Sequence, residues 1–249
     1  MLTPTNMNAA RAAAPENSDF SDLVLEKQFD LVLDKTGLTA SNIKARFGVA
    51  MDISGSMSGE FASRTVSNTL RVLHAPATRM DDDGNLEVFA YNDKAHKLPD
   101  VTSENIEGYV TSHSIGGKDI GGYTLFAPVL QAFINSWFPQ KGGFLGFGGK
   151  RDTSGDPAYL ALLSDGNFES SRDYMETRQI LEASSSLPIF VHVFLFGQGR
   201  CDEWREIENQ SNVSVTQISS LRAVTDNPTL MYERLLSQKV QDFYKHIKG

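Results

Sequence analysis

The chain has one cysteine, Cys201, in 249 residues, and that scarcity excludes an internal disulfide framework. It fits a reducing compartment, and with no flanking basic pair to lower its pKa the thiol reads as inert. Positive charge is also short: 23 Lys and Arg stand against 31 Asp and Glu, for a formal net charge of -8 and a pI near 5.1. A phosphate-tracking surface needs a clustered basic excess, so nucleic acid is excluded as a partner, and an anionic membrane surface is disfavoured on the same ground. No apolar run is long enough to span a bilayer. Residues 1–18 lack both a basic start and a continuous apolar stretch, so they do not read as a secretory signal, and the expected location is cytoplasmic. That segment is expected to be a flexible tail, with at most a transient helix before Pro15.

What is present is a soluble-domain composition, 40% hydrophobic, near the upper size for one core. Phe20, Val24, Leu25, Phe29 and Val32 recur at helical intervals, although Asp30 to Asp34 alternate as a strand would, so residues 19–40 read as a helical or extended addition. From Ile43 onward strand and helix patterns alternate, the signature of a parallel sheet with crossover helices. Strands are expected at 47–51, 86–91, 158–163, 189–196 and 213–218, with 94–98 returning antiparallel at an edge. Helices are expected at 57–74, from Ser103 to about Thr111, after Thr124, at 174–184 and 202–209, and from Pro228 to the C-terminus. Thr124 is expected to serve as N-cap of its helix.

The densest chemistry lies in Phe47-Gly-Val-Ala-Met-Asp52-Ile-Ser54-Gly-Ser56-Met57, where a DxSxS cluster follows an apolar run. Taken alone, this segment is also explained by a Ser/Gly turn with a capping Asp. Two later segments offer matching oxygens: Gly121-Gly-Tyr-Thr124 and Leu162-Leu-Ser-Asp165-Gly. A small hard cation such as Mg2+ takes near-octahedral oxygen ligands and keeps several waters. Hydroxyls from Ser54, Ser56 and Thr124, with Asp52 and Asp165 holding metal-bound waters, would leave its charge available to an incoming carboxylate.

These three segments, in this order, resemble the metal-ion-dependent adhesion site (MIDAS) of von Willebrand factor A (vWA) domains at all five liganding positions. Asp81 to Tyr91 and Asp156 to Asp165 further resemble the vWA subfamily at the C-terminus of the tellurium-resistance protein TerF, so that the likeness covers about residues 19–249. The resemblance implies a doubly wound α/β domain: a mostly parallel six-stranded, Rossmann-like sheet with helices on both faces and one antiparallel edge strand. It also implies a metal site of Asp52, Ser54, Ser56, Thr124 and Asp165 holding Mg2+, or Mn2+ or Ca2+, and a role in protein recognition rather than turnover. The expected function is thus a Mg2+-dependent interaction module of a tellurium-resistance or stress-response system, with a partner Asp or Glu completing the metal shell and no small-molecule substrate.

Competing readings are a scaffold whose metal only stiffens the loops and a metal-dependent phosphotransfer enzyme. The latter would use Asp52 as nucleophile but finds Ser54 where a second acid is needed. A serine hydrolase fails because Met57 occupies the nucleophile position of its motif. Gly142 to Lys150 lacks the Ser/Thr and the preceding strand of a phosphate loop, and reads as a surface loop. Asp81 to Asp83 reads as a solvated turn, and His192, inside an apolar strand, as a packed neutral imidazole.

Overall fold

A computed structural model describes residues 21–113, 115, 120–141, 150–197 and 202–248. The expected tail at 1–18, the loop at 142–149, Gly116, Gly117 and Cys201 lie outside these. The main sheet has six strands in the order β3-β2-β1-β6-β7-β8: β1 Arg46–Asp52, β2 Glu87–Tyr91, β3 Ala95–Lys97, β6 Ala158–Ser164, β7 Ile189–Phe196 and β8 Val213–Ile218. All neighbours are parallel except β2 and β3, which pair antiparallel at the edge. A two-residue pairing, β4 Gln140–Lys141 with β5 Lys150–Arg151, stands apart from this sheet. No strand was expected there, because two residues carry no readable alternation.

Alternation along the central strands sorts the core into two layers. Phe47, Val49 and Met51 of β1 and Tyr159, Ala161 and Leu163 of β6 face one side. Packed on that side are α1 Asp22–Thr36, α3 Thr65–Met80, α8 Leu221–Asp226, α9 Pro228–Leu235 and α10 Gln238–Lys248. Ala50, Leu160 and Leu162 face the other side, covered by α5 Phe126–Trp137, α6 Ser171–Ser184 and α7 Asp202–Ile207. Gly48 allows this second layer to close: a Cβ there would stand 2.7 Å from ring atoms of both Phe133 and Trp137.

The helix expected at 57–74 is instead two, α2 Ser58–Ala62 and α3, broken at Arg64, whose φ of 63° interrupts the helical path. The second piece runs on to Met80 through Pro76. Proline has no N–H to give the carbonyl four residues back, which ordinarily leaves that carbonyl orphaned. Here the carbonyl of Val72 accepts the Tyr232 hydroxyl at 3.1 Å. The helix expected after Ser103 shrinks to α4 Tyr109–Ser112, because Gly108 at φ 75° separates it from the turns before it.

Candidate functional site

The chain enters the sheet at β1, builds outward to β3, then returns to lay β6 on the other side of β1. Strand order therefore reverses between β1 and β6, and in open α/β sheets the crevice outside the strand C-termini at such a reversal is the usual ligand position. Asp52 ends β1 and Ser164-Asp165 ends β6, so both acids stand at that crevice.

Asp52 is fully buried. Its Oδ1 accepts the Ser54 N–H at 2.7 Å, and its Oδ2 accepts the Ser164 hydroxyl at 2.7 Å and, more loosely, the Thr124 hydroxyl at 3.4 Å. Burial raises the Asp52 pKa, Ser54 and Ser164 oppose that rise by hydrogen bonding, and the nearby charge of Asp165 adds to it. Ser54 Oγ and Ser56 Oγ lie 3.1 Å apart, and Ser56 Oγ donates to Asp165 Oδ1 at 2.9 Å. Hydroxyls and carboxylates from three separate segments thus form one continuous chain of oxygens.

The loops around this chain are tied to one another. Ile53 N–H bonds to the Tyr91 carbonyl at 2.8 Å, and Gly121 N–H to the Ile53 carbonyl at 3.0 Å. Asn92, just past β2, holds both ends of the Thr124 loop: its side-chain Nδ2 donates to the Gly121 carbonyl, and its own carbonyl accepts from Leu125, each at 3.0 Å. Gly121 and Gly122 have φ of 144° and 78°, conformations that a side chain disfavours.

Thr124 does not cap α5. The N-cap position is Leu125, and the Thr124 hydroxyl is committed to Asp52 instead. The Thr124 N–H donates to Glu169 Oε1 at 3.1 Å. Asp173, in the first turn of α6, is buried; burial raises its pKa to about 6, opposed by the backbone N–H groups of Glu169 and Phe126. All five residues singled out in the sequence, Asp52, Ser54, Ser56, Thr124 and Asp165, come together here.

Four further residues were missed: Ser164, Asn92, Glu169 and Asp173. Ser164 carried a signal, as the lone serine closing an otherwise apolar strand beside Asp165. The other three act through loop geometry that no spacing reveals. Asp81 is more than a solvated turn, since its Oδ2 accepts the Phe47 N–H at 2.8 Å.

Away from this crevice, His192 is fully buried between the Tyr159 hydroxyl at 2.7 Å from Nδ1 and the Thr216 hydroxyl at 2.8 Å from Nε2. Burial pushes its pKa down to about 3, which makes it a neutral packed imidazole. Among the described residues no three His, Cys, Asp or Glu side chains converge as a metal cluster, so the candidate site is one built largely on hydroxyls. No helix among them is long and apolar enough to cross a membrane.

Known proteins resemble this chain in sequence or in fold. YcbR, an uncharacterized protein of Bacillus subtilis (strain 168), is 25% identical over 220 residues, covering 86% of this chain and 82% of YcbR. Proximal thread matrix protein 1 from the mussel byssus, solved with a zinc-occupied MIDAS motif, superposes with a TM-score of 0.51 at 16% identity. That match covers 77% of this chain and 48% of the mussel chain, so this chain spans about half the length of that protein. The N-terminal domain of TFIIH p34 superposes with a TM-score of 0.52 at 12% identity over 76% of this chain and 98% of its own. At such identities the likeness shows the fold. The sequence itself matches the profile described as "vWA found in TerF C terminus" over residues 44–248, and the chain belongs to this vWA-TerF-like family.

Proposed function

We propose that the chain is a metal-dependent protein-interaction module, in which Mg2+ held by Asp52, Ser54, Ser56, Thr124 and Asp165 receives an Asp or Glu side chain from a protein partner. The observation that carries this reading is the spacing of the oxygens. Mg2+ bonds at about 2.1 Å place neighbouring octahedral ligands about 3 Å apart. The Ser54 and Ser56 hydroxyls, both direct ligands in this reading, are 3.1 Å apart, and Asp165 stands 2.9 Å from Ser56 Oγ, close enough to hold a water of the same ion. A cation fits such a set, because it takes up lone pairs that the hydroxyls now spend on one another and separates two mutually repelling acids.

Ser54, Ser56 and Thr124 would bind the ion directly, while Asp52 and Asp165 would orient bound water. Neutral ligands leave the metal electrophilic, which suits capture of a carboxylate. When bound, the ion supplies the positive charge that an acidic partner needs at this otherwise acidic crevice. The reading does not require turnover: the groups hydrogen-bonded to Asp52 are Ser54, Ser164 and Thr124, none of them an acid or base suited to a leaving group. Membership of the TerF-type family supports placing the module in a tellurium-resistance or stress-response system of the cytoplasm. Tellurite itself is not the proposed ligand, since one cysteine offers no soft coordination.

The test pairs metal titration with capture of partners from native extract, with Mg2+ or with chelator, using wild type, Asp52→Ala and Thr124→Ala. Both variants are expected to stay folded and to lose Mg2+-dependent capture. Capture that is indifferent to metal and to both substitutions removes the mechanism.

A further inference from the structure

The first N–H groups of a helix have no intrahelical partner and need acceptors from elsewhere. At α5 the chain supplies none locally, since Leu125 has no accepting side chain and Thr124 turns its hydroxyl to Asp52. The segment after Asp165 instead holds the peptide that leads into the helix. Glu169 Oε1 accepts the Thr124 N–H at 3.1 Å, and Asp173, buried in the first turn of α6, brings a second carboxylate near Phe126. Glu169 is otherwise exposed, so core packing does not dictate its position. Gly166 closes the same contact from a second point: a Cβ there would stand 3.3 Å from Thr124 Oγ1.

We propose that Glu169, backed by Asp173, is a positioning latch that fixes the Thr124 peptide and so aims the Thr124 hydroxyl into the metal site, acting through the backbone and not as a ligand. This rests on the metal reading above. Thr124 is the proposed ligand with the weakest local support, because it follows two glycines at positive φ. Its hydroxyl also makes the longest of the hydrogen bonds to Asp52, at 3.4 Å. Holding its N–H removes the rotation of the peptide that would swing the hydroxyl away. The latch runs from the Asp165 segment to the Thr124 segment, so two of the three ligand-bearing loops are held as one body. Carboxylates at the N-terminus of α5 also complement the positive end of its dipole.

The test titrates Mn2+ and Mg2+ into the full chain as wild type, Glu169→Ala and Glu169→Gln, with melting of the metal-free proteins and amide exchange at Thr124. Outer-shell partners of metal ligands commonly control affinity by about 10–100-fold. Glu169→Ala is expected to weaken Mn2+ by about tenfold or more on that basis, and to speed exchange at Thr124 with the metal-free melting temperature unchanged. Glu169→Gln keeps an accepting oxygen and is expected to recover most of both effects. Equal Mn2+ affinity in wild type and Glu169→Ala overturns the latch and leaves the metal site standing. A glutamine variant as weak as alanine assigns the effect to charge and overturns positioning. Wild type that binds neither ion overturns both.

Discussion

Two polar networks lie in the same sheet, one enclosed and one reaching the surface at Ser56, and they are built on opposite principles. Around His192, mid-strand in β7, each ring nitrogen meets one hydroxyl, and the ring stacks on Phe194 at 4.1 Å between centroids. Donors and acceptors balance, and the group is neutral. Around Asp52, at the end of β1, hydroxyls from Ser54, Ser56, Thr124 and Ser164 share the space with two carboxylates, and the through-space charge that acts on Asp52 is another acid. Lone pairs and negative charge are in surplus. A closed network fixes structure; an open one leaves lone pairs unspent, and in the proposed reading a cation takes them up.

The sharpest way to break this contrast is to replace the titratable group of each network. Asp52→Asn is expected to abolish the rise in melting temperature that Mg2+ gives wild type, while raising metal-free stability, because a buried acid of raised pKa no longer has to ionise. A metal-free protein destabilised by this change would place Asp52 with the closed type.

At His192 the expectation is reversed. Its folded pKa of about 3 lies below the ordinary 6.5, so protons prefer the unfolded chain. Its contribution is complete above pH 6.5 and is lost as pH falls from there toward 3, by about 3 kcal/mol between pH 7 and pH 4. Urea unfolding at both pH values, compared between wild type and His192→Gln, checks this: the variant is less stable at pH 7, and its extra loss on acidification disappears. An unchanged loss assigns the acid sensitivity elsewhere.

Asp173 gives a smaller effect of opposite slope. Its folded pKa of about 6 exceeds 3.8, so the folded state holds the proton longer and stability falls as pH rises from about 4 to 6. Asp173→Asn is expected to remove that decline and to gain about 2 kcal/mol at pH 7, since each pKa step is about 1.4 kcal/mol and some of the gain is offset because an amide is a weaker acceptor than a carboxylate. Denaturation of the variant across pH 4 to 7 reads it directly, and a variant that keeps the slope removes the assignment.

The sheet and the five oxygen-bearing residues were legible in the sequence because both depend on local pattern. Apolar runs of strand length end in Asp52 and in Ser164-Asp165, and the order of segments fixes where those ends meet. Helix boundaries were less legible. Arg64 takes a left-handed conformation that its residue type does not advertise, and Pro76 sits inside a helix that it would ordinarily end. Thr124 looked like a cap because its type and place suit one, and it is not a cap because Asp52 competes for the same hydroxyl. Glu169 was invisible, since an exposed glutamate in a loop has no distinguishing neighbour until the loop is folded.

The hydroxyl of Tyr232 that fills the gap left by Pro76 comes from 160 residues further along the chain than the carbonyl it meets. During synthesis the middle of α3 must therefore wait, its Val72 carbonyl served by water, until α9 has left the ribosome. The middle of α3 is thus among the last parts of the molecule to become dry. A nascent chain stalled before residue 232 would carry α3 with that carbonyl still open to water, and would be expected to protect it only once α9 docks.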